Sequence, residues 1–378
     1  MYFFKKTTLI IIITVIILEL VGLMLSSFRI IPNGSPAVIS LFADKKLTNW
    51  HPKNITFKND YNTCWGPSKV TYNNIGSRST KDVKIKKTKE RIGLLSDSMV
   101  EMIHVNDGED ITSLLQANLP NYEIINFSAR GTGLYDHLEV YKNLIKTYDV
   151  DYLILLPTQN DLKNNFISSN RPNEIFNQPK FYIDKSTNKI IKIDRNKKKF
   201  DDYLSKKNRL KRSKFVLYLK DNSQTFRIYI YFKVLLRSNK IKKDISTYDE
   251  GDFTKDKELL KDQKKIYKYI FKDFINEIEK DNIKLITVLN LRKQNFVKEE
   301  NLSPKEKIEL YQFNILKDIW TSYNNAYYDL DEAKKFIELN SAKIVKPYEY
   351  LGHVCDDHYS KYGAKYISNV IIKLINKN

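Results

Sequence analysis

Ser98 is a candidate nucleophile because of its position in the sequence. The short apolar run Ile92, Leu94 and Leu95 is typical of a strand buried on both faces, and it ends at the polar sequence Ser-Asp-Ser of residues 96–98. A helical pattern follows, so Ser98 is predicted to lie on a strand-to-helix turn, where its hydroxyl stands clear of the sheet beside free backbone N–H groups. There it can attack a substrate if a histidine reaches it. The alternative is structural, since serines at such turns commonly cap helices.

Polar residues also end two later strands and precede the last helix. One predicted strand ends in Asn-Phe-Ser-Ala-Arg-Gly at residues 126–131, and the next ends before Gln-Asn-Asp at residues 159–161. Near the C-terminus, residues 356–358 read Asp-Asp-His and precede an apolar helical pattern. Because parallel sheets build their sites at the carboxyl ends of strands, these residues are candidates to meet Ser98.

The spacing of apolar residues predicts strands that alternate with helices. Besides the strand that ends at Ser96, strands are predicted at residues 122–127, 151–158, 284–290 and 326–330, with helices at residues 111–119, 138–145 and 266–278, from Ser303, and at residues 367–374. Apolar strands that alternate with helices indicate an α/β fold with a parallel sheet covered on both faces.

The alternation is interrupted between residues 163 and 256, which are predicted to form an inserted cap over the site. Residues 181–193 are predicted to form a hairpin, and residues 206–236 a basic, aromatic-rich helix. The lysine runs at residues 197–199 and 206–214 are typical of a solvated or membrane-facing surface.

The chain is long enough for one large domain or two small ones, and its charge is strongly positive. It has 378 residues, with 64 Lys and Arg against 45 Asp and Glu. The excess is mostly Lys spread through an Asn-rich and Ile-rich chain, without a base-stacking or zinc motif, so we do not expect nucleic-acid binding. Attraction to an anionic membrane or polysaccharide is the favoured interpretation.

The N-terminal segment predicts a membrane anchor. Residues 7–28 are long and apolar enough to cross a bilayer, and Lys5 and Lys6 before them predict a cytoplasmic tip at residues 1–6 and an extracytoplasmic domain beyond. A cleaved signal peptide is the alternative, but the apolar run is long and no Ala-x-Ala site follows. Glu19 within the span is costly unless it lies near an edge or has a partner.

Two regions follow the predicted anchor. Residues 29–85 are interpreted as a stalk and lead-in segment that comes to lie on the domain, and residues 86–378 as the domain itself. Cys64 and Cys355 are either a disulfide pair or two buried thiols, and the oligomeric state is open.

The four polar blocks together resemble those of the SGNH hydrolases, also called GDSL-type esterases. The blocks are Ser96-Asp97-Ser98, Asn126 with Gly131, Asn160-Asp161, and Asp356-x-His358, and Asn74-x-Gly76-x-Arg78 resembles the lead-in of membrane-anchored members. The resemblance covers residues 74 to the C-terminus. It implies a three-layer α/β/α fold of flavodoxin-like type and acyl-ester chemistry.

The resemblance also implies roles for single residues. Ser98 would be the nucleophile, and His358 would be the base that takes its proton. Asp356 would orient the histidine, with Asp357 as the alternative, because the longer Asp-x-x-His spacing of the family would need an acid at Cys355.

Oxyanion donors and supporting residues follow from the same blocks. The donors would be the backbone N–H groups of Ser98 and Gly131 and the side-chain amide of Asn160. Asp97 and Asp161 would support the loops.

This sequence departs from the family pattern at three positions and has other histidines to weigh. Ser96, Ser128 and Thr158 stand where the family usually or often has Gly. His353 is a rival base without the Asp-x-His block before it, whereas three further histidines are interpreted as surface or structural residues: His51, His104 and His137. No cluster has metal-ligand spacing, so we expect neither a metal nor another cofactor.

We therefore expect a membrane-anchored extracytoplasmic serine esterase or acyltransferase. Its substrate would carry O-acyl groups, acetyl above all, on cell-envelope or exported polysaccharide. A lipid-ester substrate is one alternative, and a catalytically inactive glycan-binding or assembly protein on the same fold is another.

Overall fold

The computed structural model describes most of the chain that the sequence assigns to the domain. Described are residues 2–27, 47, 50–59, 67–167, 180–194, 223–226, 228–229, 253–323, 326–340, 351–353 and 356–377, with side chains for all except residues 2–5, 26–27, 253–257, 353 and 356–357. The two cysteines and most of the predicted basic helix at residues 206–236 lie outside these ranges.

The strands and helices of the described chain are numbered in chain order. The strands are β1 (Ile55–Asn59), β2 (Ser68–Tyr72), β3 (Glu90–Leu95), β4 (Tyr122–Asn126), β5 (Tyr152–Leu155), β6 (Lys180–Asp184), β7 (Lys189–Ile193), β8 (Lys284–Val288), β9 (Ala326–Tyr327), β10 (Gly352–His353) and β11 (Asp356–Tyr359). The helices are α1 (Tyr2–Ser27), α2 (Ser98–Glu101), α3 (Ile111–Asn118), α4 (Leu134–Asn143), α5 (Asn160–Asn164), α6 (Phe253–Lys280), α7 (Pro304–Ser322), α8 (Leu330–Asn340) and α9 (Lys361–Ile375).

A five-stranded parallel sheet forms the centre of the domain, as the sequence predicted. Its strand order is β4-β3-β5-β8-β9, and each neighbouring pair is parallel. If these five strands are renumbered 1 to 5 in chain order, the sheet reads 2-1-3-4-5, which is the flavodoxin-like order. The second strand lies on one side of the first, and the remaining three lie on its other side. The loops after β3 and β5 therefore open from the switch point where such folds bind ligands.

Helices flank the sheet and bury its strands. Helix α3 packs on α9, while α4, α5 and α7 pack on the long helix α6. All four residues of β5 are buried, as are the last five of β3, which explains their nearly continuous apolar sequence. The predicted three-layer α/β/α architecture is confirmed.

Two predicted strands end three residues earlier than their apolar sequence suggested. Strand β5 ends at Leu155, two residues before Pro157, which has no N–H for a further ladder bond. Strand β9 has two residues because α8 begins soon after it, where Asp329 accepts a hydrogen bond from the N–H of Glu332 at 2.8 Å.

Side chains form hydrogen bonds with the outward-facing backbone N–H and carbonyl groups of the edge strand β4. The amide of Gln116 donates to the carbonyl of Tyr122 at 2.9 Å and accepts from the N–H of Ile124 at 3.2 Å. The hydroxyl of Ser77 accepts from the N–H of Asn126 at 3.1 Å. Edge β4 is thus hydrogen-bonded although no further strand lies beside it in the described chain.

The segment before β3 packs on the domain. Strands β1 and β2 form an antiparallel hairpin, and the buried guanidinium of Arg78 donates to the carbonyls of Glu101, Met102 and Val105. The lead-in residue Asn74 closes a local turn through two hydrogen bonds to Val83. The lead-in therefore holds the chain that follows α2.

The predicted hairpin in the inserted region is confirmed as β6 and β7. It lies beside α6, where Lys185 pairs with Glu258 and Asp262. Residues 224–226 and 228–229 are also helical. That the insertion forms a cap over the site stays a prediction.

Helix α1 is long and apolar. The stretch Lys6–Leu25 has a mean hydropathy of 2.8, and little of it is buried inside the protein. By length and composition it suits a membrane span, and a signal sequence near the N-terminus would have the same properties.

Candidate active site

The sequence-predicted nucleophile and base meet in the structure. The hydroxyl of Ser98 lies 2.8 Å from Nε2 of His358, although 260 positions separate the two residues. Ser98 is the first residue of α2, directly after β3, and His358 lies on β11 just before α9. Both side chains are half-buried, so a substrate has access to them. A hydroxyl and an imidazole at this distance can exchange a proton during nucleophilic attack.

The predicted acid of the triad can be placed by its backbone. Asp356 and Asp357 are the first two residues of β11, and the chain from them to His358 is extended. Their side chains, and that of the rival base His353, lie outside the described atoms. The choice of Asp356 as the orienting acid therefore stays a prediction.

Asp97 links the loop after β3 to the loop after β5. One carboxylate oxygen accepts from the N–H of Met99 at 2.9 Å, which caps α2. The other accepts from the hydroxyl of Thr158 at 3.1 Å and from the side-chain amide of Asn160 at 3.2 Å. An amide nitrogen carries two hydrogens, so this bond orients Asn160 and leaves it a second hydrogen to donate.

The loop after β4 has its own set of fixed contacts. The N–H of Arg130 donates to Oε2 of Glu101 at 2.7 Å, and the carbonyl of Thr132 accepts from the amide of Asn164 at 2.7 Å. Between them Gly131 is exposed, with φ at +71°, and a side chain there would meet no other atom within 4 Å. The glycine is thus required by its left-handed backbone rather than by crowding within the protein.

The residues that depart from the family pattern are accommodated. Ser96 is fully buried and donates to the carbonyl of Leu156 at 2.6 Å, which adds a bond between the chains after β3 and β5. Thr158 donates to Asp97, as described above. Ser128 is buried and its hydroxyl has no hydrogen-bond partner among the described residues. Two of the three replacements therefore contribute hydrogen bonds of their own.

Asp161 lies behind the site in a buried environment. One of its oxygens accepts a hydrogen bond from the N–H of Thr158 at 3.1 Å, and the side chain is nearly inaccessible to solvent. Burial, reinforced by the nearby charge of Asp97, raises the pKa of Asp161 well above its ordinary value. The supporting role that the sequence suggested for Asp161 stays a prediction.

Glu101 is a buried carboxylate that sequence reasoning missed. Besides the N–H of Arg130 it contacts the guanidinium of Arg130 and Nε2 of His51, both at 3.1 Å, and the hydroxyl of Tyr72. Burial alone would raise the pKa of Glu101, but the charges of Arg130 and His51 outweigh it and lower the pKa. Glu101 thus joins α2, the loop after β4 and the β1–β2 hairpin.

The other histidines have structural contacts. Nδ1 of His51 lies 2.9 Å from the carbonyl of Gly76. His137 is buried beside the hydroxyl of Thr132, and burial lowers its pKa to about 4. His104 is buried with its ring against that of His358, the ring centroids being 5.2 Å apart. The sequence contains no pattern that would have distinguished His104 from the other two.

The described side chains offer no metal site. No three His, Cys, Asp or Glu side chains among them lie close enough together to hold an ion.

No family model and no curated protein matches the chain. Among solved structures it is similar to a lipase/acylhydrolase from Enterococcus faecalis, with 11% identity and a TM-score of 0.38 over 76% of this chain and 95% of that one. It is also similar to a GDSL-like lipase from Bacteroides thetaiotaomicron, with 10% identity and a TM-score of 0.34 over 76% and 88%. An acetyl xylan esterase from Geobacillus stearothermophilus has 10% identity and a TM-score of 0.37 over 77% and 97%. At such low similarity, the chemistry of this chain has to be inferred from its own side chains.

Proposed function

We propose that the protein is a serine ester hydrolase with an SGNH-type site. The observation that carries the proposal is the 2.8 Å contact between the hydroxyl of Ser98 and Nε2 of His358 at the carboxyl edge of a flavodoxin-like sheet. A buried structural serine would not need a histidine from the far end of the chain. The half-buried position of both groups beside the switch point favours a role toward a ligand.

The reaction follows from the roles of these groups. Ser98 Oγ attacks the carbonyl carbon of the ester while Nε2 of His358 takes its proton, and Asp356, or alternatively Asp357, stabilises the resulting imidazolium. The tetrahedral intermediate then collapses: the alkoxide oxygen takes the proton from His358 and leaves as the alcohol, and the acyl group stays on Ser98. Water attacks the acyl-serine while His358 takes its proton, and His358 then gives that proton to Ser98 Oγ as the carboxylic acid leaves.

The negative oxygen of each tetrahedral intermediate needs donors that are already in place. The backbone N–H groups of Ser98 and Gly131 and the amide of Asn160 are assigned this role. The assignment is supported by the bond from Asn160 to Asp97 and by the contacts at Arg130 and Thr132 on either side of Gly131. Each donor comes shortly after the end of a strand, and the three strands concerned, β3, β4 and β5, are neighbours in the sheet.

The substrate is proposed to be an O-acyl ester, above all an acetyl ester, on a cell-envelope or exported polysaccharide. The support is the apolar helix α1, which would tether an extracytoplasmic domain to the membrane, and the excess of basic residues, which suits an anionic surface. A sugar hydroxyl in place of water would turn the same acyl-serine into an acyltransferase intermediate. An ester within the lipid itself is the second candidate, favoured by the same helix.

Hydrolysis of p-nitrophenyl acetate by the full chain in detergent micelles tests the proposal. Ser98→Ala and His358→Ala are each expected to lower kcat/KM at least about 1,000-fold, because each removes a group that acts in the same step. Ser186→Ala, the same change at an exposed turn, is the matched control and should keep full activity.

The proposal fails if Ser98→Ala and His358→Ala hydrolyse the ester as fast as the control variant does. An unaltered chain that binds acylated glycan without turning over any ester would identify the inactive binding protein instead. In the same assay, Asp356→Asn is expected to reduce kcat more than Asp357→Asn.

A further inference from the structure

Glu19 is a charged residue inside the apolar helix α1. It lies six residues before Leu25, the end of the candidate span Lys6–Leu25. At a rise of 1.5 Å per residue that places it roughly 9 Å inside the outer end of the span. An unpaired carboxylate at such a depth is unfavourable in hydrocarbon, so a partner is expected.

The inserted region supplies that partner. Oε1 of Glu19 accepts from the hydroxyl of Ser223 at 2.6 Å and from the N–H of Thr225 at 3.2 Å, and Oε2 accepts from the N–H of Gln224 at 2.6 Å. Residues 224–226 are helical, and the two N–H groups that bind Glu19 belong to the first two residues of this stretch. Three donors, two of them backbone amides, satisfy the carboxylate.

Gly22 allows the inserted region to approach α1 closely. A Cβ added to Gly22 would lie 2.4 Å from Cβ of Gln224 and 3.2 Å from Cδ1 of Ile228, so a larger residue would push the two elements apart. Gly22 follows Glu19 by three positions and therefore faces the same side of α1. A small residue beside a polar contact is typical of helices that pack within a membrane.

We infer that the inserted region enters the outer leaflet beside α1 through Ser223–Phe226 and Ile228–Tyr229, and that its partner there is the lipid bilayer. The inference rests on the proposed use of α1 as a membrane span. The donors reach Glu19 below the outer end of that span, so the segment that carries them has to lie at the same depth. Tyr229 is 54% exposed, and its ring lies 6.1 Å from that of Phe226, which suits aromatic side chains at the membrane interface.

Site-directed fluorescence in lipid vesicles tests this placement. The full chain, with Cys64→Ser and Cys355→Ser, would carry one cysteine at a time, labelled with a nitrobenzoxadiazole dye, in vesicles of phosphatidylcholine and phosphatidylglycerol containing a nitroxide-labelled lipid. Tyr229→Cys is the test position. Val15→Cys on α1 is the membrane-embedded reference, and Ile85→Cys, on an exposed residue at the end of the lead-in segment, is the aqueous reference.

We expect the dye at position 229 to be quenched by the lipid nitroxide about as strongly as the dye at position 15, and the dye at position 85 to be quenched several-fold less. Quenching at 229 that equals quenching at 85, with position 15 strongly quenched, overturns the inference and leaves α1 as the anchor. Weak quenching at position 15 as well overturns both this inference and the assignment of α1 as a membrane span. Hydrolysis of p-nitrophenyl acetate by the same samples reports separately on the proposed esterase.

Glu19→Leu distinguishes the specific contact from general affinity for lipid. Leucine keeps α1 apolar but removes the acceptor for the three donors, so quenching at position 229 should fall several-fold while quenching at position 15 stays the same. Glu19→Gln keeps one acceptor oxygen and should give an intermediate value. Unchanged quenching at position 229 in both variants would show that Glu19 does not hold the segment, contrary to the inference.

Discussion

At the scale of single residues, Asp97 orients Asn160, the side chain proposed as an oxyanion donor. Its two oxygens accept from a backbone N–H of α2 and from the side chains of Thr158 and Asn160. The amide of Asn160 is therefore oriented before a substrate arrives. A donor that is already in place needs no reorganisation when the oxyanion forms, and this is the source of its catalytic effect.

Removal of that amide is expected to affect turnover more than binding. Asn160→Ala should lower kcat about 100- to 1,000-fold with little change in KM, because the oxyanion exists in the transition state and not in the bound ester. Steady-state hydrolysis of p-nitrophenyl acetate measures both constants, and Asn143→Ala, an exposed asparagine on α4, serves as the control. A kcat equal to that of the control would remove Asn160 from the oxyanion hole.

His104 contacts the backbone beside His358, the proposed catalytic base. Its Nε2 lies 2.7 Å from the carbonyl of Tyr359, the residue after His358, and its ring packs edge-on against the His358 ring. A carbonyl can only accept, so Nε2 of His104 carries the proton in this bond. The contact fixes β11 against the chain that follows α2, and hence His358 against Ser98.

Two substitutions separate this hydrogen bond from simple filling of space. His104→Phe keeps a ring but loses the donor, and it should lower kcat about 10- to 100-fold, the effect of a small misplacement of a catalytic group. His104→Gln presents an amide N–H at a similar reach and should restore most of the activity while KM stays the same in both. Equal kcat for the two variants would assign His104 to packing alone.

The residues identified from the sequence differ in kind from those that were missed. Ser98 and His358 stand in short blocks whose order along the chain carries information, and they meet as predicted. Glu101 and His104 act through contacts with Arg130 and with the carbonyl of Tyr359, which lie far away in sequence. A single sequence contains no record of such contacts.

At the scale of elements, the start of α4 fixes one end of the loop that carries Gly131. Asp136 accepts from the N–H of Gly133 and from the amide of Asn165, both at 2.9 Å. Its second oxygen has no partner among the described residues, and the side chain is buried. Burial therefore raises the pKa of Asp136 to about 6.

The raised pKa of Asp136 predicts that the free energy of unfolding depends on pH. The pKa of Asp136 is higher in the folded chain than the ordinary 3.8, so the folded state binds the proton more tightly. Its contribution to the free energy of unfolding is full below about pH 4 and is lost as the pH rises through about 6. Over this window the loss is on the order of 3 kcal/mol, from 1.36 kcal/mol per pKa unit.

Urea unfolding of the unaltered chain and of Asp136→Asn at pH 4, 5 and 7 measures the effect. The stability of the unaltered chain relative to the variant should fall from pH 4 to pH 7. The comparison cancels the opposite contribution of His137, whose burial lowers its pKa in both proteins. A difference that is the same at every pH would contradict the predicted shift.

Apolar periodicity located the central strands but not their ends. The predicted strand at residues 151–158 stops at Leu155, and the one at residues 326–330 stops at Tyr327. In both cases a local feature ends the ladder: the approach to Pro157 in the first, and the cap that Asp329 provides for α8 in the second. The residue at which a strand ends depends on single contacts of this kind. The burial of a strand, in contrast, is indicated by the apolar pattern of its whole sequence.

At the scale of the whole molecule, the strand order brings distant blocks together. Strand β3 lies between β4 and β5, so the three polar blocks that follow these strands emerge side by side at one edge of the sheet. The last block reaches that edge on β11, at the other end of the chain. Alternation of strands and helices was sufficient to predict this sheet, but the path of residues 163–256 was not predictable because it follows no such repeat.

The amide of Gln116 has a consequence for self-association. A parallel sheet whose outer strand presents free N–H and carbonyl groups is a template on which a second copy can add its own strand. Along β4, Gln116 and Ser77 already use those groups in the manner of a neighbouring strand. Copies at high local concentration would thereby be prevented from joining into continuous sheets along this edge.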